Sequence, residues 1–475
     1  MDNKTTCALR EKILASVAGK DGSLSARERI TALFDEGTFT EIGAYTFRRV
    51  SESDTKTPDE PESVICGYGS INDRLVYAFA QDMSRTKGSV SEAAAKKITS
   101  VYKLALENGC PVVAVFDSAG AYLPEGVRAL AGYASIMKAV SEASGIIPQI
   151  AVVAGVCTGA NAVIASMFDF VIACEASSIS VNPPFVVGGG KTSDTVESGI
   201  SALTAKTDSE AIACARALLD YLPSNNEEGT EELSCTDDAN RASDLSAYLA
   251  DGGLTAVVEA VADDAKFLET GAGCAETVKT GFIALGGTSC GVVAADGKIS
   301  SKAARKAARF ISFCDCFSIP VVTLVDTEGF EISGEEEKNP FSSEIGKLAG
   351  AYASAKTALV TLVCGKAYGS AFSVLGSKAI GADIVFALDS AKVSALSPAS
   401  AVALLKNNEI NATTSREDLE NSWLENEANI ANAAKAGEID DIIDPAEARQ
   451  RLASAVNMLS CKAQAARRRH ANMPL

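Results

Sequence analysis

Two glycine turns are places where the backbone itself could do chemistry. Each follows an apolar run and precedes small residues: Gly159 with Ala160 in the first half of the chain, and Gly369 with Ser370 and Ala371 in the second. A glycine turn that leads into a helix leaves backbone N–H groups without partners, and these groups bind phosphates or stabilise oxyanions. The predicted donor pairs are Gly159 with Ala160 and Ser370 with Ala371. The same small residues also suit simple packing of a helix on a sheet.

The composition excludes chemistry that depends on histidine. The chain of 475 residues has one histidine, His470, close to its end. A Ser-His-Asp triad, a Cys-His dyad and a His-rich metal site each need an imidazole in the folded core. The 13 cysteines include no Cys-x-x-Cys pair, so reduced thiols are expected rather than a zinc ribbon or a redox motif. We therefore predict no metal site.

The elements that position the two turns occur twice. Residues 111–120 form an apolar run that ends in Asp117 and a glycine, and residues 320–329 repeat this pattern with Asp326. In both halves a helix-like run precedes the pattern, and another apolar run leads from it to the glycine turn. Continuous Val, Ile and Ala strands between helices indicate mostly parallel sheets that are covered on both faces. The sequence predicts an α/β protein of two similar domains, made by internal duplication.

The boundary between the domains is predicted in a polar stretch. Residues 223–253 are rich in Asn, Glu, Asp, Ser and Gly, a composition typical of a solvated connector. The predicted domains are residues 1–250 and 251–475. We also predict a helical arm before Ser25 and a closing helix from Asp444 towards Arg469.

Charge and hydropathy exclude several classes of partner. Lys and Arg total 43 and Asp and Glu total 61, which gives a net charge of −18. Such acidity argues against nucleic-acid binding. No apolar run approaches the ~18 residues of a membrane-spanning helix, and the N-terminus lacks the apolar segment of a signal peptide. We expect a cytoplasmic protein.

Short blocks along nearly the whole chain match one family. They are residues 24–30, 81–82, 117–118, 125–126, 131–133, 145–149, 309–315, 366–369 and 470–475. On these blocks the chain resembles the carboxyltransferase β subunits of biotin-dependent acyl-CoA carboxylases, such as propionyl-CoA carboxylase. It is similar also to the α subunits of sodium-pumping acyl-CoA decarboxylases. The resemblance implies two crotonase-like domains, which agrees with the duplication.

The resemblance also implies a reaction, the transfer of CO₂ between biotin and the α-carbon of a CoA thioester. The thioester enolate oxygen would lie on the amides of Gly159 and Ala160, and the biotin ureido oxygen on those of Ser370 and Ala371. Coenzyme A would bind mostly to the first domain and biotin to the second. The biotin anion can take the α-proton, so no histidine base is needed. The positions implied for substrate binding are Asp117, Ser118, Ala119, Gly120, Gly369 and Ser373, of which Ser373 would shape the acyl pocket. An acidic protein also needs local cations for the CoA phosphates, and the candidates are Lys191, Arg85 and Lys87.

The family also implies partners. Its members assemble as hexamers and work with a biotin carrier protein and with either a biotin carboxylase or a membrane decarboxylase subunit. This chain has no Met-Lys-Met biotinylation sequence, so the biotin is expected on a separate carrier.

Several residues depart from the family pattern. Ala160 and Ser370 stand where glycine is usual, Tyr122 replaces an arginine, Glu328 replaces a proline, and the glycine-rich segment around residues 187–200 is short. Three functions therefore stay open. They are a carboxyltransferase of an acyl-CoA carboxylase, the same half-reaction run in reverse in a malonyl-type or glutaconyl-CoA decarboxylase, and a non-catalytic assembly partner.

Overall fold

The computed structural model describes residues 3–15, 23–48, 60–183, 186, 188–229, 232–238, 240–460 and 462. These residues divide into two compact units, within Met1–Gly229 and within Thr230–Arg468. The division lies inside the predicted connector but ahead of the boundary at residue 250. The physical reason is the helix Leu245–Val261, which runs across residue 250 and buries apolar side chains in the core of the second unit.

Helices and strands alternate along the first unit, as the sequence predicts. The helices are α1 (Asn3–Leu14), α2 (Ala26–Leu33), α3 (Glu92–Asn108), α4 (Val127–Ala143), α5 (Ala160–Ser166), α6 (Thr192–Glu197) and α7 (Asp208–Tyr221). The strands are β1 (Thr40–Ile42), β2 (Val64–Ile71), β3 (Arg74–Gln81), β4 (Val112–Ser118), β5 (Gln149–Thr158), β6 (Phe170–Cys174), β7 (Ser178–Ser180) and β8 (Leu203–Ala205).

The second unit repeats this order and adds helices near its end. Its helices are α8 (Leu245–Val261), α9 (Ser301–Cys316), α10 (Phe341–Ser354), α11 (Ser370–Val374), α12 (Pro398–Ala401), α13 (Arg416–Asn426), α14 (Ile430–Lys435) and α15 (Ala448–Leu459). Its strands are β9 (Leu268–Thr270), β10 (Val278–Leu285), β11 (Thr288–Ile299), β12 (Val321–Phe330), β13 (Leu359–Tyr368), β14 (Ile384–Leu388), β15 (Lys392–Ser394) and β16 (Asp441–Ile443). The predicted arm corresponds to α1 and the closing helix to α15. Arg469 and His470 lie outside the described residues.

The two sheets have the same topology, which confirms the predicted duplication. The strand order is β1-β2-β3-β4-β5-β6-β8 in the first sheet and β9-β10-β11-β12-β13-β14-β16 in the second, with β7 paired to β5 and β15 to β13. The first three strands of each order pair antiparallel, and the pairs that follow are parallel. The carboxyl ends of the central strands therefore share one edge in each sheet.

The central strands are the buried core of each unit. All residues of β4 are buried, and β5 and β13 are each buried along their first six residues. Around β4 the rings of Phe79, Phe116 and Phe168 pack edge to face, with centroids 5.7 and 5.6 Å apart. Burial of each such ring stabilises the unit by about 1.5–3 kcal/mol. The two glycine turns follow the ends of two of these buried strands, β5 and β13.

Candidate active site

Both glycine turns lie where a central strand ends and a short helix begins. Gly159 follows β5 with φ 65° and ψ −131°, and Gly369 follows β13 with φ 64° and ψ −153°. A residue with a side chain rarely adopts a positive φ, so glycine is required at both positions. Ala160 and Ser370 come next and are the first residues of α5 and α11. Neither has a positive φ, so these two departures from the family pattern fall where no glycine is needed.

The amide of each turn glycine is already used inside its own unit. The Gly159 N–H donates to the Ser180 carbonyl at 3.0 Å, and the Gly369 N–H donates to the Ser394 carbonyl at 2.9 Å. These acceptors end the three-residue strands β7 and β15, which lie parallel to the ends of β5 and β13. Each turn is thereby tied to a neighbouring strand.

The free donors of each turn therefore come after the glycine. The first amides of a helix have no acceptor within it, which leaves Ala160 with Asn161 in the first unit and Ser370 with Ala371 in the second. The second pair is the one predicted from the sequence. In the first unit the prediction named Gly159 with Ala160, but the Gly159 N–H already donates to β7.

An aspartate supports each turn from the adjacent strand, buried in the first unit (Asp117) and partly buried in the second (Asp326). Asp117 Oδ1 accepts from the Val156 N–H at 3.2 Å, and Asp326 Oδ1 accepts from the Lys366 N–H at 2.7 Å. Val156 and Lys366 each lie three residues before the turn glycine. The pairing register shifts at this point in both sheets, between β4 and β5 and between β12 and β13. The aspartates thus satisfy amides that the irregular pairing leaves without a strand partner.

The close approach of these carboxylates explains a second pair of glycines. A Cβ at Gly155 would lie 2.3 Å from Asp117 Oδ1, and a Cβ at Gly365 would lie 2.4 Å from Asp326 Oδ1. Both distances are far below van der Waals contact. No side chain fits at either position unless the aspartate moves and releases the amide that it holds.

We expect Gly155→Ala or Gly365→Ala to lower the free energy of unfolding by about 1–3 kcal/mol, as overpacking does in other cores. The matched control is Gly346→Ala in α10, where an added Cβ meets nothing within 4 Å. That change should be neutral or stabilise by up to about 1 kcal/mol. Urea denaturation of the three variants measures this, and equal effects at all three glycines would contradict the packing described.

The first of these aspartates is also part of a buried ion-pair network. Arg29 is 3% exposed and donates from Nη1 to Asp117 Oδ2 at 2.8 Å and from Nε to Asp208 Oδ2 at 2.7 Å. Burial alone would lower the pKa of Arg29, but the two carboxylates outweigh it and raise that pKa. Both oxygens of Asp117 are therefore engaged within the unit, so Asp117 supports the turn rather than offering a free group to a ligand.

The three residues after Asp117 form a turn whose hydrogen bonds are made within the first unit. Ser118 Oγ accepts from the Gly120 N–H at 3.1 Å, and the Ala119 N–H donates to the Lys87 carbonyl at 2.9 Å. Ser118 and Gly120 are buried, and Ala119 is exposed. Of these three predicted substrate contacts, Ala119 is the one that a ligand could reach.

The remaining predicted contacts flank the two turns. Lys191 is exposed and pairs with Ser178 in β7, the strand whose Ser180 accepts from Gly159. The glycine-rich loop that ends at Lys191 therefore lies beside the first turn. Ser373 is exposed on α11, the helix that follows the second turn.

One ion pair distinguishes the second turn from the first. Lys366 Nζ lies 3.1 Å from Glu328 Oε1, and each side chain is about half exposed. The hydrogen bond that Lys366 donates to Glu328 raises the pKa of Lys366. The corresponding positions of the first unit, Ala119 and Val156, carry no charge.

The cysteine beside the first turn, Cys157, is not suited to act as a nucleophile. Cys157 lies two residues before Gly159 but is completely buried, and burial raises its pKa, which keeps it a thiol. The twelve cysteines in the described ranges are free. Over the same ranges no three His, Cys, Asp or Glu residues are grouped so that they could hold a metal ion. No helix that the structure describes has the length and apolar character needed to cross a membrane.

Three supporting residues were not assigned a role from the sequence. Arg29 and Gln81 occur within blocks that carry the family resemblance, but nothing in those blocks shows which atoms they contact. Asn161 had a local signal, since it is the one polar residue between Gly159 and Ser166. The reason for its polarity appears only in the structure, where Gln81 donates to it at 3.1 Å.

Comparisons with known proteins give one consistent result. The carboxyl transferase domain family matches residues 18–473. The carboxyltransferase subunit of propionyl-CoA carboxylase from Haloferax mediterranei is 34% identical over 96% of this chain and 94% of its own length. The α subunit of methylmalonyl-CoA decarboxylase from Propionigenium modestum is 34% identical over the same shares of the two chains.

The fold comparison agrees with the sequence comparison. The crystal structure of the transcarboxylase 12S hexamer, with methylmalonyl-coenzyme A and methylmalonic acid bound, superposes with a TM-score of 0.93 at 29% identity. The match covers 99% of this chain and 98% of that one. It confirms the predicted fold of two tandem α/β domains of the crotonase type. The predicted resemblance is likewise confirmed, and the chain belongs to the carboxyl transferase domain family.

Proposed function

We propose that this chain is the carboxyltransferase subunit of a biotin-dependent acyl-CoA carboxylase. It would transfer CO₂ between carboxybiotin and the α-carbon of a short acyl-CoA. The proposal rests on the backbone conformation of the two turns. Each keeps glycine where φ is positive, and each has its unusual residue, Ala160 or Ser370, at a helical position. Two pairs of backbone donors are therefore retained.

The two turns take different oxygens. We assign the enolate oxygen of the thioester to the amides of Ala160 and Asn161, and the ureido oxygen of biotin to those of Ser370 and Ala371. Donors fixed in advance where negative charge develops lower the barrier most effectively, because they need no reorganisation during the reaction. When bound, carboxybiotin supplies the carboxyl group, and its ureido nitrogen takes the α-proton in exchange. This chemistry requires no acid or base from the protein.

The remaining contacts divide between the two halves of the chain. Coenzyme A is assigned to the first domain, predicted as residues 1–250, where Lys191 beside the first turn can meet its phosphates. Biotin is assigned to the second domain, predicted as residues 251–475. Ser373, exposed on α11, is the residue to which we assign the shaping of the acyl pocket.

The proposed partners follow from the biotin requirement. A separate biotin carrier protein brings the cofactor, and a biotin carboxylase or a membrane decarboxylase subunit completes the complex. We propose a homo-hexamer, in line with the hexamer named for the transcarboxylase 12S structure. The cytoplasmic location stays a prediction from the sequence.

A second candidate is the same transfer run backwards, in a decarboxylase complex that moves CO₂ from a malonyl-type or glutaconyl thioester to biotin. The likeness to a methylmalonyl-CoA decarboxylase subunit supports this candidate as strongly as the likeness to a propionyl-CoA carboxylase subunit supports the first. A catalyst lowers the barrier equally in both directions, so the turns are compatible with either. A non-catalytic assembly partner is less favoured because both pairs of amides are retained.

The test is release of CO₂ by the purified chain from malonyl-CoA, methylmalonyl-CoA or glutaconyl-CoA, measured with and without free biotin. We expect release that depends on biotin, and the thioester that reacts fastest identifies the acyl group. Calorimetry of coenzyme A binding accompanies the assay. Inactivity with every thioester, together with no binding of coenzyme A, would overturn the proposal and favour the assembly partner.

A further inference from the structure

We propose that Asn161 is a positioning residue of the first anion site. Through Gln81, its side chain fixes the orientation of the helix turn that carries the free amides of Ala160 and Asn161. This inference rests on the proposed function, because it assigns a purpose to the turn on the thioester side. It concerns the Asn161 side chain, whereas the substrate contact is assigned to the Asn161 backbone.

A chain of amide hydrogen bonds links α5 to the central sheet. Gln81 Nε2 donates to Asn161 Oδ1 at 3.1 Å, and Gln81 Oε1 accepts from the Asp117 N–H at 3.2 Å. Gln81 and Asn161 are each 1% exposed. Since β3 and β4 are held rigidly in the sheet, the first turn of α5 is tied to them through side chains as well as through the glycine.

The second unit contains the same kind of turn, so comparing the two units shows whether the hydrogen bond between Gln81 and Asn161 is needed to form it. In the second unit the position of Gln81 is taken by Ala295 and the position of Asn161 by Ala371, and both alanines are fully buried. The second turn therefore lacks this bridge, although its glycine and its aspartate accept and donate the same backbone hydrogen bonds as in the first unit. An amide bridge that exists in one copy only is not needed to form the turn.

The buried polar atoms around Asn161 also set it apart from ordinary core residues. Asn161 Nδ2 and the hydroxyl of Tyr133 are both buried, and neither has a partner at hydrogen-bonding geometry among the described residues. Burial raises the pKa of Tyr133, and its polar neighbours Ser118 and Asn161 act against that rise. The first unit thus has a buried polar group where the second unit has the buried alanine Ala371, which fits the positioning role proposed for Asn161.

The geometry of α5 explains why such a support matters. The helix has seven residues, and the directions of its first two amides change with any rotation about its axis. Misplacing reacting groups by about 1 Å can lower a rate about 100-fold. The bridge to Gln81 restrains this rotation directly at the residue that carries one of the two donors.

The test compares Asn161→Ala, Gln81→Ala and the double variant in the biotin-dependent assay. Each single change should lower kcat about 10- to 100-fold, with the KM for the thioester changed less than about threefold, because the lost contact acts on the transition state. The double variant should be no worse than either single variant, since both remove one bridge. Asn432→Ala, which removes a hydrogen-bonded asparagine on α14, should leave kcat unchanged. Additive losses, or a rise in KM without a fall in kcat, would overturn the inference.

Amide hydrogen exchange tests the same inference without an activity assay. The Ala162 N–H donates to the Gly159 carbonyl at 3.1 Å, so its protection reports the order of the first turn. In Asn161→Ala, exchange in the peptide that covers α5 should become faster, while the peptide that covers α11 is unchanged. Asn161→Asp keeps the acceptor for Gln81 and should restore the protection. Unchanged exchange in the alanine variant would overturn the inference. An inactive wild type that still shows these exchange differences would refute the proposed function alone.

Discussion

Replacing Ser370 with proline is expected to lower kcat for biotin-dependent CO₂ release by about 10²–10³-fold, the usual effect of losing one donor of an oxyanion site. Proline has no N–H, and it is well tolerated as the first residue of a helix. Gly369, which precedes it, has ψ −153° and so avoids the conformations that a following proline forbids. Ala160→Pro should have an effect of the same size in the first turn.

The matched control is Arg416→Pro, which places proline at the first position of α13 on an exposed residue. It should leave kcat unchanged, and thermal unfolding of the three variants should be similar. Coenzyme A binding should survive in Ser370→Pro, because biotin is the ligand assigned to that turn. An active Ser370→Pro variant would contradict the assignment of the second pair of amides.

Replacing Arg29 with methionine is expected to destabilise the first unit by about 3–5 kcal/mol, because two buried carboxylates lose their only cation in this network. For a unit of this size, that change lowers the midpoint of thermal unfolding by about 6–20 °C. Differential scanning calorimetry should show the loss in one transition and leave the transition of the other unit in place.

The control for this variant is an exposed ion pair. Lys96 lies 2.6 Å from Glu92 on the surface of α3, with 64% of the Lys96 side chain exposed. Lys96→Met should destabilise by less than about 0.5 kcal/mol. If Arg29→Met and Lys96→Met shifted the midpoint equally, the network of Arg29, Asp117 and Asp208 would not support the fold as described.

The duplication could be predicted from sequence because its signals are local. An apolar run that ends in aspartate and glycine predicts a buried strand followed by a turn, and two copies at similar spacing predict two similar domains. The glycines of the turns were found in the same way, since each follows an apolar run and precedes small residues, and glycine readily adopts a positive φ. The α/β alternation and the two turns therefore needed no information from distant residues.

The roles of individual side chains could not be predicted in this way, because they depend on contacts with residues that are distant in the sequence. Asp117 was predicted to contact substrate, but Arg29 approaches it from 88 residues earlier in the chain and Val156 from 39 residues later. Gly159 was predicted to donate to the substrate, but Ser180 accepts its N–H. The strand that brings Ser180 there has three residues, too few for a periodic pattern. Contacts of this kind are fixed by the tertiary fold and leave no trace in local sequence.

The central claim is that the first anion site consists of the amides of Ala160 and Asn161. It is tested most directly by a structure of this chain with a stable analogue of a short acyl-CoA thioester. We predict that the thioester oxygen lies about 2.7–3.1 Å from the nitrogens of both residues, while Gly159 still donates to Ser180. An oxygen bound by Gly159 with the Ser180 bond broken, or a thioester bound away from this turn, would contradict the claim.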